Sequence, residues 1–199
     1  LISTEITHEQ AGEKSDSGQR KILLAVLIIN FVFFGLEMLF GILSNSMGLV
    51  ADSLDMLADS LVYGLALFAV GGSALRKKNI ARTAGYLQLL LALTGVMEVI
   101  RRFVGVTELP DFRTMMVISF LALIANAISL YILQKEKSRE SHIQASMIFT
   151  SNDIVINIGV IVAALLVDLL QSAFPDLVIG AIVFAIVVRG AFRILRLAI

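Results

Sequence analysis

Six mainly apolar runs, roughly 22–44, 46–71, 83–104, 113–134, 143–169 and 174–195, take up nearly all of this chain. Each is close to the length of about 20 residues that a helix needs to cross the hydrocarbon of a bilayer. Hydrophobic residues make up 58% of 199 positions and the mean hydropathy is +0.90, values that remove the soluble globular class. A membrane β-barrel would instead alternate apolar and polar residues in segments of about 10. The chain reads as an all-α integral membrane protein: a polar N-terminal tail at 1–20, expected to be loose, then one six-helix transmembrane domain at 21–199.

With no cysteine, the chain has no disulfides and no thiolate ligands. Its net charge is zero and its Lys and Arg form no extended stripe, so nucleic acid is not an expected partner. The basic residues do report orientation. Arg101, Arg102 and Arg113 fall on one side of a six-span topology, and the rest of the 16 Lys and Arg fall on the side of both termini. The positive-inside rule puts both termini in the cytoplasm.

Asp52, Asp55 and Asp59 interrupt the second apolar run at spacings of three and four, which places all three carboxylates on one face of a helix. An ionised carboxylate at the centre of a bilayer costs about 2.5–3.5 kcal/mol on insertion scales. Entering from the outer side, Asp52 is the shallowest, and Asp59 reaches the midplane depth at which transporters hold substrate. Asp153, about eleven residues and roughly 16 Å from the inner end of the fifth run, lies at a similar level. No lysine or arginine is expected at that depth, so protons or a mobile cation must balance the charge.

Other polar residues form helical stripes. Asn152 adjoins Asp153, and Asn157 follows Asp153 by one turn. Asn30 and Glu37 share a face of helix 1, and Asn126 lies in helix 4. Helices 1, 2, 4 and 5 are thus expected to form a polar core, with helices 3 and 6 facing lipid or a second subunit. The asparagines also suit interhelical hydrogen bonding, worth about 1 kcal/mol each. Asp52 also suits a helix cap or the outer mouth, leaving Asp55, Asp59 and Asp153 as the leading ligand candidates.

Clustered carboxylates cannot all ionise without a counter-charge, and a metal binds only after displacing their protons. One set of residues then holds either metal or protons, the thermodynamic core of an antiporter. Oxygen donors accept Mn²⁺, Fe²⁺, Co²⁺, Zn²⁺ and Cd²⁺.

These residues resemble the cation diffusion facilitator (cation efflux) family. The likeness runs through Asn30 and Glu37, the stretch LSNSMGLVADSLDMLAD at 43–59, Arg82-Thr-Ala-Gly85-Tyr86 and Asn126-Ala-Ile-Ser129. It continues through Asp153 and Gly159, Pro175-Asp176, and Arg189-Gly-Ala-Phe-Arg193. It implies a cation-efflux transmembrane domain working as a homodimeric exporter of a zinc-like metal by proton antiport. A bacterial inner membrane is the expected setting. The family pairs [His/Asp]-x-x-x-Asp on helix 2 with His-x-x-x-Asp on helix 5. Asp55, Asp59 and Asp153 match, whereas Phe149 stands where the family has histidine and cannot ligate. Asn152, Ser151, Asn157 or water are open choices for the fourth ligand. Family members commonly carry a cytoplasmic domain after helix 6; here the expectation is a membrane domain with no C-terminal cytoplasmic domain.

Two alternatives stand beside transport. A family-derived protein that binds metal or a partner without moving it would keep the aspartates. A membrane-embedded metal-dependent enzyme would need a longer acidic motif that this chain lacks, so no enzymatic cofactor is expected.

Overall fold

A computed structural model describes residues 2–69, 74–105, 108–135 and 141–196 of the chain. It is all-helical, in the order α1 (Ile2–Leu43), α2 (Met47–Ala69), α3 (Ala74–Val104), α4 (Phe112–Lys135), α5 (Ser141–Leu170) and α6 (Phe174–Arg196). Five segments qualify as membrane spans by length and composition: Gly18–Leu43, Arg82–Val104, Phe112–Lys135, Ser146–Leu170 and Phe174–Arg196. The sixth helix, α2, has the length, but its three aspartates set it apart. Together the six helices form a membrane-spanning bundle.

The polar stretch expected to be loose is instead helical from Ile2 onward, as the first part of a 42-residue α1. It contains no proline, and Glu5, Glu9, Gln10, Ala11, Glu13 and Lys14 are strong helix formers, so no residue type forces a break.

Helix α2 occupies the centre. It packs along α1 and α6 and also touches α3 and α5. Almost every residue from Met47 to Ser60 is buried, with Met47, Leu49, Ala51 and Leu54 joining Val160 of α5 and Val183, Phe184 and Val187 of α6 in the main apolar core. The outward faces are the reverse of a soluble protein's: Phe31, Leu39 and Ile42 of α1 and Leu169 of α5 are more than half exposed, as lipid contact requires.

Helix α6 is more than a flank: Ile182 and Phe192 face outward, but its other face is packed inside the bundle. Val183, Phe184, Val187 and Ala191 are fully buried, and α6 packs on both α2 and α3. Close approach is built in: a Cβ on Gly95 of α3 would overlap the Phe184 ring.

The link between α1 and α2 is short. Asn45 takes φ 55° there, a conformation asparagine tolerates better than most residues. Its carbonyl accepts from the Arg102 guanidinium at 2.7 Å, and its amide donates to Glu108 at 2.9 Å. At the connection between α3 and α4, Asp111 caps α4 through Thr114 Oγ1 at 2.6 Å and the Arg113 N–H at 3.1 Å.

Candidate metal site

The phase of α2 decides which way its carboxylates face, and two residues fix its start. Ser46 is the N-cap, its hydroxyl oxygen accepting from the Leu49 N–H at 3.1 Å. Asp176, from the first turn of α6, accepts from the Ser46 hydroxyl at 2.6 Å and from the N–H groups of Met47 at 2.7 Å and Gly48 at 3.0 Å. These donors are among those a helix start leaves without intrahelical partners. Capping is therefore the work of Ser46 and Asp176, not of Asp52.

Asp52 is 0% exposed and neighbours Glu37 of α1, also 0% exposed. It does not open onto an outer mouth. None of the four oxygens accepts from an N–H or hydroxyl donor. Buried carboxyl oxygens without donors call for a proton or a cation.

One turn deeper the environment changes. Asp55, Asp59, Asn152 and Asp153 line a single cavity of about 400 Å³, together with Ala58 and Val62 of α2, Phe149 and Ile156 of α5, and Ile186, Arg189, Gly190 and Arg193 of α6. Asp55 and Asp59 are 7% exposed and Asp153 is 1% exposed. Both oxygens of Asp153 and one of Asp59 are buried without any hydrogen-bond donor. Such atoms require a proton or a cation, because a bare buried carboxylate oxygen loses the full value of its hydration. Among the described residues, no three acidic, histidine or cysteine side chains converge closely enough to hold a metal as they stand. The three aspartates share a cavity wall without forming a closed ligand shell.

The supporting polar residues separate into two groups. Asn152 lines the cavity, alone among the three side chains open as replacements for the family histidine. Ser151 instead donates back to the Met147 carbonyl at 2.7 Å, and Asn157 donates to the Asp153 carbonyl at 2.8 Å with its own oxygen unpartnered. Asn30 donates to the Val26 carbonyl at 3.0 Å, while Asn126 is fully buried with neither amide atom partnered. Asn30, Glu37, Asp52, Asn126 and Asn157 are not part of the cavity lining.

Phe149 occupies the wall beside Asp153. Its ring meets Tyr63 edge-on at 6.5 Å, and the Tyr63 hydroxyl lies 3.3 Å from Thr150 Oγ1 and 3.4 Å from the Ser146 carbonyl. Over the Phe149 ring sits the guanidinium of Arg193, 5.0 Å from the centroid.

Arg189 and Arg193 overturn the expectation that no cation lies beside the aspartates, because both line the same cavity. They were missed as site components because they sit at the basic end of helix 6, where they read as orientation signals. Helical phase holds the clue: Ile186, Arg189, Gly190 and Arg193 recur at three, four and seven residues and form one stripe.

Comparison with known proteins adds a family and a relative. The cation efflux transmembrane domain matches residues 23–199. The chain is 29% identical over 196 residues to a protein of Pectobacterium atrosepticum named zinc transporter ZitB, an alignment that takes in 92% of this chain. The chain spans 61% of that relative's length.

Proposed function

The chain belongs to the cation diffusion facilitator family, whose members are transport proteins rather than enzymes, and we propose that it carries a divalent transition-metal cation across the membrane in exchange for protons. One observation carries the reading: buried oxygens of Asp59 and Asp153 without donors border a cavity that Asp55 also lines, at the centre of a membrane bundle. Carboxylates so placed hold protons or metal, not both. Metal entry expels the protons, and reprotonation on the other side of the membrane releases the metal. Access alternates as α2, α5 and α6, which wall the cavity, shift against one another.

Zinc is the proposed substrate, with cobalt, cadmium, iron and manganese as chemically related cargo. Carboxylate oxygens and the Asn152 amide form a harder donor set than an imidazole-bearing site, and they admit each of these ions. The relative's name favours zinc. Both termini are proposed to lie in the cytoplasm of a bacterial inner membrane, and the exposed apolar faces leave room for a homodimer.

Calorimetric zinc titration of the purified protein tests the site. Asp59→Ala and Asp153→Ala each reduce affinity at least about tenfold on this reading. Unchanged affinity in both would remove the assignment. A second reading, metal binding without transport, draws on Phe149 and Arg193, which fill the place of a ligand with an apolar ring and a fixed positive charge. Binding without flux is its signature.

A further inference from the structure

The positive charge in the cavity has no role in the ligand set, and its placement calls for one. Arg193 stands on α6, one turn beyond Arg189, and both line the cavity that holds Asp55, Asp59 and Asp153. A guanidinium stays charged at any pH the protein meets, so its field on the carboxylates is permanent. At 5.0 Å from the Phe149 centroid it is within the range of an attractive cation–ring contact. Among the described residues, no ion pair joins Arg193 to a carboxylate. The charge is therefore held beside the site and not consumed in a fixed salt bridge. Its long stem allows the head to turn from the ring toward Asp59 without movement of α6.

We propose that Arg193 is a tethered competitor of the transported cation: perched on Phe149, it approaches Asp59 in the unloaded cavity and yields when a divalent ion binds. The inference rests on the metal-transport reading and deepens it. Phe149 gains a function here. It removes one ligand and supplies a seat for the guanidinium, so both changes lower affinity and both favour release. A site emptied on each cycle benefits from an internal cation that balances part of its charge at the moment the metal leaves.

The test is zinc binding alone, by titration calorimetry on the full chain at fixed pH. The competitor model expects Arg193→Gln to bind zinc about five- to tenfold more tightly than the parent, because one repulsive charge is gone. Arg193→Lys retains the charge and stays within about twofold of the parent. Arg196→Gln removes a charge outside the cavity lining and changes nothing. Unchanged or weaker binding in Arg193→Gln overturns the proposal, and weakening in both Arg193 variants assigns the side chain to packing instead. Asp59→Ala separates the two layers of the account. If it abolishes binding while Arg193→Gln has no effect, only the competitor role fails. If it leaves binding intact, or if the parent binds no zinc, the metal-site reading fails and the competitor falls with it.

Discussion

Asp176 accepts a 2.6 Å hydrogen bond from Ser46 across 130 positions of sequence, tying the first turn of α6 to the start of α2. The same carboxylate receives the N–H groups of Met47 and Gly48, so one side chain from another helix completes the cap. Gly180 lets the two helices meet, since a Cβ there would lie 3.0 Å from the Met47 backbone. Replacing Asp176 by alanine leaves buried donors without acceptors, and a loss of about 2–4 kcal/mol is expected. Thermal unfolding in detergent measures it. A melting temperature equal to the parent's would show that the clamp is dispensable.

The Glu37–Asp52 pair makes a different prediction, because its fault is a shortage of donors. Glu37→Gln supplies an amide donor to Asp52 and should be neutral or slightly stabilising. Glu37→Ala removes the neighbouring carboxyl group and should cost about 1–3 kcal/mol. Equal stabilities for the two variants would contradict that shortage.

Phe149→His restores the family's helix-5 pattern and removes the seat of Arg193. An imidazole beside Asp153 offers zinc a preferred ligand, and affinity should rise at least about tenfold. Calorimetry against zinc and manganese reads both strength and preference, with zinc expected to gain more because nitrogen ligands favour it. An equal gain for the two ions would argue that the histidine does not ligate.

Zinc affinity should also fall on acidification. Protons and metal contend for the same carboxylates, so each proton displaced weakens binding by about tenfold per pH unit below the carboxylates' titration. Repeating the titration in buffers of different ionisation enthalpy counts the protons released. A pH-independent affinity with no proton release would break the link between metal and proton.

Sequence periodicity made much of this fold legible. Six apolar runs became six helices, and the four-residue spacing of Asp55 and Asp59 brought both to one cavity with Asp153. Three features were hidden for separate physical reasons. The Asp52 environment depends on how α1 docks, since Glu37 comes to it from that helix. The inward placement of α6 depends on Gly95 admitting Phe184, a packing event that apolar composition alone does not encode. Arg193 reaches the site through a long side chain, so its Cα position in sequence understates how far its charge extends.

The most direct measurement of the central claim is proton flux in zinc-loaded proteoliposomes. The account predicts proton movement that requires both the protein and a zinc gradient, reverses when the gradient is reversed, and disappears in Asp59→Ala and Asp153→Ala. Zinc bound at the cavity with no accompanying proton movement, or proton movement unaffected by either substitution, would contradict it.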